Sequence, residues 1–468
     1  MPVRNIQILV LAMLFCIACY VQAERLKYAG KIGSAIQLIE ANYVEERDPD
    51  VLYHAAMKGI VSELDQFSAF IPPKQYEQFQ SGIEQEFGGI GILVEGPPAS
   101  EQLTVVSPIP GTPAFRAGMQ PGDVITHVEG QSTEGLLATD ATTLMRGPVG
   151  ESVEVTIRRI GISEPLVMEI LRDDIQVDSI YGDRIEGDSS WDFFLKEDPR
   201  IAYIRITLFG EKTVGEFRTA IDRVKSSAEA VVLDLRYNPG GILSCAVEMC
   251  DMLVEEGVVV STKGRRDEFA AEIVAGRGTE LSPSLPIVIL VNSQSASASE
   301  IMAGCLQDLG RAKIAGSRSY GKGTVQQVFE LENDQTALKF TTARFYRPSG
   351  KNIHRTEEMT PEDEWGVKPD PELLRETTEL QEIYLNRRWR RNGDPRVTTR
   401  DDNPPAPQCE GDPQLKVVLD YLQSVLDSTG TVGGANSLSL PEEANADSGS
   451  EAESETAESK SADLETTP

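Results

Sequence analysis

Between Ile201 and Ala315 the chain alternates strand-like and helix-like segments, and this alternation limits its fold more than any other feature. Apolar runs rich in β-branched residues occur at Ile201–Ile206, Ala230–Leu235, Ile287–Val291 and Ala312–Ala315. Segments of helical spacing separate them, at Thr213–Ser226, Ile242–Leu253 and Ser297–Leu309. Ile287–Val291 has no polar position, which suits a strand buried on both faces. Strand–helix alternation of this kind predicts an α/β core with a largely parallel sheet. Further strands are expected at Val325–Leu331, Thr336–Thr341 and Arg344–Tyr346.

The flanking regions follow other periods. Residues 25–82 have helical spacing, with Ile32, Ala35, Ile36 and Ile39 on one face and Ala55, Ala56, Ile60 and Leu64 on the next helix. Asp65–Pro73 breaks that pattern, and a short helix is expected at Lys74–Ser81. From Glu86 to Asp173 the pattern is β, with five short strands and one main helix at Ala138–Met145, which suits a small, partly open barrel. Helices are expected again at Glu372–Arg391 and Pro413–Leu426, with a proline-rich loop at Pro404–Pro407 between them.

Charge and composition exclude several functions. With 44 Lys and Arg against 74 Asp and Glu, the 468-residue chain carries a net charge of −30. Nucleic-acid binding, which rests on neutralising phosphates, is therefore not expected. From Pro441 to Pro468 there are nine acidic residues, one lysine and almost no large apolar side chain, so this tail is expected to be disordered. Arg387–Arg391 is a local basic cluster, read as a solvated helix face. The start of the chain, Met1–Arg4 and then an apolar run from Ile6 to Val21, reads as a secretory signal peptide cut near Ala23. An uncleaved anchor and lipidation at Cys19 are the alternatives. Cys245, Cys250 and Cys305 lie in apolar helices and read as small core residues. The three histidines, His54, His127 and His354, fall in separate segments, so neither a zinc site nor a His-based triad is expected.

The chemistry concentrates at the carboxyl ends of the predicted core strands, where open α/β sheets bind ligands. Val291-Asn292 leads into Ser295-Ala296-Ser297-Ala298-Ser299-Glu300. A serine at such a strand-to-helix turn lies among free backbone N–H groups at the positive end of the helix. Serine needs a base, and the candidate is Lys322, on the glycine-rich loop Gly321–Gly323. A second glycine turn, Asn238-Pro239-Gly240-Gly241, follows the strand ending at Leu235; its backbone N–H groups suit an oxyanion hole. Ser319-Tyr320-Gly321-Lys322 offers a competing S-x-x-K pair, but the companion Ser-Asp-Asn and Lys-Thr-Gly motifs are missing. No Gly-x-Ser-x-Gly elbow is present.

Three of these stretches, Asn238–Gly241, Ser295–Glu300 and Ser319–Gln326, resemble the core motifs of the carboxyl-terminal processing, or tail-specific, proteases. Arg347–Lys351 and Gly366–Asp370 match later motifs, and Gly88–Asp123 is similar to the family's PDZ domain; the likeness runs from about Leu38 to Leu426. It implies a ClpP/crotonase-like α/β protease core with an inserted PDZ domain and helical N- and C-terminal regions. The implied division is 1–23 signal peptide, 24–85 helical, 86–173 PDZ, 174–371 protease core, 372–430 helical and 431–468 acidic tail.

Carried over residue by residue, the resemblance implies Ser297 as nucleophile and Lys322 as general base. Gln326 would orient the amine. The oxyanion donors would be Gly240 and Ala298, with Gly241 as the other choice in the first turn; Ser295 and Ser299 become helix-start packing residues. Lys322 must then be neutral near pH 7, which requires burial without a carboxylate partner. In the PDZ segment, Gly88, Gly89, Ile90, Gly91 and Ile92 are expected to receive a substrate's terminal carboxylate and last residues. One departure stands out: the family pattern Leu-Asp-Pro-His-Ser is here Leu64-Asp65-Gln66-Phe67-Ser68, a segment read as lying outside the catalytic set. The expected protein is an exported, periplasmic serine endopeptidase that needs no cofactor or metal. Its partners would be substrate proteins engaged by their C-termini, an adaptor protein and further copies of itself. A catalytically silent peptide-binding scaffold and a structural assembly protein are the rival readings.

Overall fold

A sheet of five strands carries the centre of the molecule. In chain order these are β1 (Ile180–Tyr181), β2 (Ile201–Ile206), β3 (Ala230–Asp234), β4 (Ile287–Val291) and β5 (Lys313–Gly316), which also lie side by side in that order. Pairing is parallel between β2 and β3, β3 and β4, and β4 and β5, and antiparallel only for the edge strand β1. Every residue of β3 and β4 is buried, as their lack of alternation predicts. Helices α1 (Thr213–Val224), α2 (Leu243–Asp251) and α3 (Ala298–Asp308) cover the sheet, and Phe217, Met249, Cys250, Met302, Cys305 and Leu306 join its strands in one apolar core. The computed structural model describes residues 10–17, 20, 27–97, 101–185, 190–265, 267–331, 335–393 and 411–433. Most of the leader, the Pro404–Pro407 loop and the acidic tail beyond 433 lie outside the described residues.

A second sheet was only partly foreseen. Thr324–Leu331 and Thr336–Tyr346 form the expected hairpin. Gly257–Gly264 and Ala271–Ala275, for which no strands were expected, pair with each other, and the first also pairs with Thr336–Tyr346. Ala69–Ile71 also adds here, opposite Ala337–Lys339, although its surroundings read as a helix breaker. The burial of Phe70 and Ile71 supplies the reason: a short apolar stretch finds a distant strand to pair with. Helices occupy Lys27–Asn42, Pro49–Ser62 and Pro73–Glu84. Asp48 caps the second, its side chain accepting the Asp50 N–H at 2.9 Å.

The β segment forms an antiparallel sheet of Ile92–Glu95, Thr104–Pro108, Val124–Val128, Ser152–Arg158 and Leu166–Leu171, with the helix at Ala138–Met145 as expected. Its own core is built on Ile90, Val105, Ile125, Val153, Val155 and Met145. Toward the C-terminus the helix α4 begins at Glu379, later than expected, because Thr378 and Gln381 form a capping box. The last described helix, Pro413–Gly433, runs past the expected end at Leu426. The described residues up to Gln423 make up one compact unit, and the described residues from Ser424 on belong to a second.

The basic cluster on α4 (Glu379–Asn392) is a solvated face only in part: Arg387 and Arg390 are exposed, but their neighbours turn inward. Arg388 is buried and donates to Asp183 at 2.6 Å, while Trp389 Nε1 donates to Tyr203 at 3.2 Å. Beside them Arg236, fully buried, is held by Asp234 at 2.6 Å and by Asp412 at 2.9 Å. Burial alone would lower the Arg236 guanidinium, but the two carboxylates hold it well above its ordinary value. Removing one member of such a buried set strands the others, at about 3–5 kcal/mol. Asp412→Ala is therefore expected to lower the stability of the chain by about 3 kcal/mol, read as a reduced midpoint in urea unfolding.

Candidate active site

Strand β4 ends at Asn292, and a chain of side-chain hydrogen bonds fixes the turn that follows. Asn292 Oδ1 accepts the Tyr237 N–H at 3.0 Å. Ser295 Oγ donates to the Leu235 carbonyl at 2.8 Å, and Ser299 Oγ donates to the Asn238 carbonyl at 2.9 Å. Both hydroxyls are fully buried, so these serines fasten the Tyr237–Gly241 turn to the start of α3. Ser297 differs from both: it is half-buried, it is the N-cap of α3 and forms a capping box with Glu300, and its hydroxyl donates no hydrogen bond among the described residues. Its φ of 57° is one that residues with a side chain rarely adopt.

The Asn238–Gly241 turn lies directly against Ser297. A Cβ added to Gly240, whose φ is +99°, would fall 2.8 Å from Ser297 Cβ and 2.9 Å from Ala298 N, so only glycine fits. The Gly240 N–H, however, donates to Asn238 Oδ1 at 2.9 Å. The N–H groups of Gly241 and Ala298 have no acceptor among the described residues. The donor expected at Gly240 is thus engaged internally in this arrangement, and the unoccupied donors are Ala298 and Gly241.

Glu300, one turn into α3, is the residue whose role sequence reasoning missed. Its side chain is fully buried and accepts four hydrogen bonds. The donors are the N–H groups of Ser297 at 2.9 Å, Lys322 at 2.8 Å and Gly321 at 2.6 Å, and Ser319 Oγ at 2.6 Å. One oxygen, Oε2, takes both the Ser297 and the Lys322 N–H and so joins the two loops. Burial pushes the carboxyl above its ordinary value, and the four donors pull it back. The signal was present in the capping-box spacing of Ser297 and Glu300. Ser319 is consumed in the same network, since its hydroxyl also accepts the Val367 N–H at 2.7 Å.

Lys322 is half-buried, and its amine has no hydrogen bond or ion pair among the described residues. Burial lowers the amine below the ordinary lysine value, and Lys339 adds to that, while Glu300 and Asp65 act the other way. Its Nζ lies 5.1 Å from the centre of the Phe67 ring, so the segment that departs from the family pattern belongs to the site after all. No hydrogen bond joins Lys322 to Ser297 or to Gln326 among the described residues. Gln326 sits at a bulge in its strand, and its amide nitrogen donates to Thr324 at 2.7 Å and Thr341 at 3.2 Å.

In the PDZ-like segment the structure divides the five expected residues. Gly88 and Gly89 belong to the strand Glu86–Gly89, paired with Asp173–Gln176, so they are not an open loop. Gly89, Ile90, Gly91 and Ile92 line a cavity of about 260 Å³ with Phe87, Met145 and Arg146. Arg146 lies 4.2 Å over the Phe87 ring, and burial lowers its guanidinium.

A model of peptidase family S41 matches residues 200–373, and a PDZ domain model matches residues 104–159. A carboxy-terminal-processing protease of Bartonella bacilliformis is 37% identical over 332 residues, covering 70% of this chain and 73% of that protein. The carboxy-terminal processing protease CtpA of Bacillus subtilis is 33% identical over 345 residues, covering 72% and 67%. Among solved structures, a photosystem II D1 C-terminal processing protease aligns with 78% of this chain and 97% of its own, at 24% identity and a TM-score of 0.42. With two relatives above 30% identity, each matched over at least two thirds of its own length, the chain belongs to the carboxy-terminal-processing proteases of peptidase family S41, serine peptidases that carry a PDZ domain.

Proposed function

We propose that this chain is an exported endopeptidase that captures substrate proteins by their carboxyl termini and cleaves them near that end with a Ser297–Lys322 pair. The observation that carries this reading is the contrast among the three serines at the start of α3. Ser295 and Ser299 are buried and donate their hydroxyl protons to backbone carbonyls, while the Ser297 hydroxyl is half-buried and donates to nothing among the described residues. The same Glu300 oxygen that holds its backbone also holds that of Lys322.

In the reaction the neutral Lys322 amine takes the Ser297 proton as Oγ attacks the scissile carbonyl. The oxyanion is met by the Ala298 N–H, first in the helix, and by a donor from the Gly240–Gly241 turn. The protonated amine then gives its proton to the leaving nitrogen, and water repeats the sequence on the Ser297 ester. Gln326 orients the amine once it exchanges its threonine contacts. The unliganded arrangement is looser than the reacting one, as catalytic hydrogen bonds tighten with substrate in place. The core that supports this chemistry is of the ClpP/crotonase-like kind. Capture falls to the cavity at Gly89–Ile92, where apolar walls suit a substrate's last side chains and Arg146 offers a counter-charge to a carboxylate. The apolar run from Ile6 to Val21 supports export to the periplasm, where an adaptor and self-association are further expected features. No described helix is long and apolar enough to cross a membrane.

Ser297→Ala should abolish cleavage of an unstructured polypeptide ending in apolar residues, and Ser319→Ala should retain it; the opposite pattern would move the nucleophile. Because only the neutral amine acts as base, the rate should rise with pH through the lowered Lys322 value and then level off. The midpoint of the pH–rate profile is expected below about 10.4, the ordinary lysine value. Glu300→Gln removes a charged acceptor of four bonds, and kcat should fall about a hundredfold with KM little changed. That is about the loss of one charge-assisted hydrogen bond, and steady-state kinetics would measure it.

A further inference from the structure

We propose that Phe67 is a positioning residue for the general base: its ring closes one side of the Lys322 amine to water and so keeps that amine ready to accept a proton. The inference rests on the Ser297–Lys322 reading above and adds a residue that the sequence placed outside the site.

The geometry is that of a held ring. Phe67 is on the turn after the helix Pro49–Ser62, and Asp65 Oδ1 accepts its N–H at 2.9 Å and the Ser68 hydroxyl at 3.0 Å. Asp65 also bonds Thr341, the residue that receives the Gln326 amide. The turn is therefore tied to the hairpin into which the Lys322 loop leads, as is Ala69–Ile71 just beyond it. Two further rings meet Phe67 edge-on, Tyr320 at 6.5 Å between centroids and His354 at 6.4 Å. With Nζ 5.1 Å from its centroid, Phe67 occupies the apolar side of the amine.

The charged groups around the amine come from every element packed against it. Lys339 stands on the hairpin strand and opposes a second positive charge, while Glu300 on α3 and Asp65 on the turn favour one. His354 has its own ring lowered by burial and Arg344, so it adds no settled charge. The two carboxylates alone would keep Lys322 protonated. Exclusion of water is the countervailing effect, and Phe67 is the apolar ring placed to provide it. A ring face also attracts a cation, so the two roles predict opposite results when the ring is removed.

The test uses the full chain with Phe67→Asn, which admits water, and Phe67→Leu, which keeps apolar bulk without an aromatic face. Phe67→Asn should move the midpoint of the pH–rate profile upward by about one unit, with about a tenfold lower rate at neutral pH, and Phe67→Leu should stay near the parent. In parallel, the Lys322 amine is titrated by nitrogen NMR in the Ser297→Ala background, with Lys322→Arg to assign the signal. The same upward displacement in Phe67→Asn, without cleavage being involved, would establish shielding. An unchanged or lowered midpoint in the titration overturns the proposal. If Lys322→Ala retains cleavage, the Ser–Lys reading fails instead, and the titration still decides whether Phe67 shields the amine.

Discussion

A single buried carboxylate joins the Ser297 turn to the Lys322 loop. Glu300 has no contact with water, so its charge is tolerated only because four donors surround it. Three of the four are backbone N–H groups, which have no charge to lose and cannot swing away as side chains do. The choice of donors has a chemical consequence. Had Glu300 paired with the Lys322 amine, it would have fixed the amine in its protonated form, useless as a base. Its oxygens are instead spent on the backbone of the lysine loop, which positions Lys322 while leaving its amine unpaired. Only the longer-range field of the carboxylate reaches the amine, and burial and Lys339 oppose it.

The remaining supports follow from the need to hold two strained turns. Tyr237 and Ser297 both have positive φ, at 60° and 57°, and each costs about 1–2 kcal/mol in a chain of L-residues. Each is held from several sides. Asn292, Ser295 and Ser299 tie the two turns to one another. From outside, Trp389 on α4 meets the Tyr237 ring edge-on at 5.8 Å. The same indole is hydrogen-bonded to Tyr203, which donates to Asp234 at 2.7 Å, and Asp234 holds Arg236, the residue before Tyr237. The helix α4 thus reaches the Tyr237–Gly241 turn through packed rings and buried charges, which explains why Arg236 and Arg388 are found inside the molecule.

How much of this was legible depended on the range of the interaction. The four parallel strands of the central sheet were readable because each is a continuous apolar run and helical segments separate them, whereas the two-residue edge strand Ile180–Tyr181 was not. The place of Ser297 and Lys322 at the edge of that sheet followed from the same order. Pairings between distant segments were not readable. Ala69–Ile71 is too short to announce itself, and its partner lies some 270 residues on, at Ala337–Lys339. The consequence was that Phe67, two residues before it, was assigned to N-terminal packing although it sits beside Lys322. Arg388 gave the wrong signal for a related reason. A charged residue on a polar helix reads as exposed until its partner, Asp183, is brought up from 205 residues away.

The arrangement around Ser297 and Lys322 also shows how several buried donors are satisfied without a substrate in place. A buried donor without a partner costs about 1–3 kcal/mol. The Gly240 N–H avoids that by donating to Asn238, and the Gln326 amide by donating to two threonines. In the proposed reaction, substrate entry would exchange one hydrogen bond for another, which is nearly neutral in energy, so the Asn238–Gly241 turn and Gln326 would change partners without unfolding anything. The Lys322 amine and the Gly241 and Ala298 N–H groups keep no partner among the described residues, and the Ala298 N–H is one of the helix-end donors that no intrahelical carbonyl can satisfy. In the proposed mechanism these are the groups that would take the serine proton and receive the oxyanion.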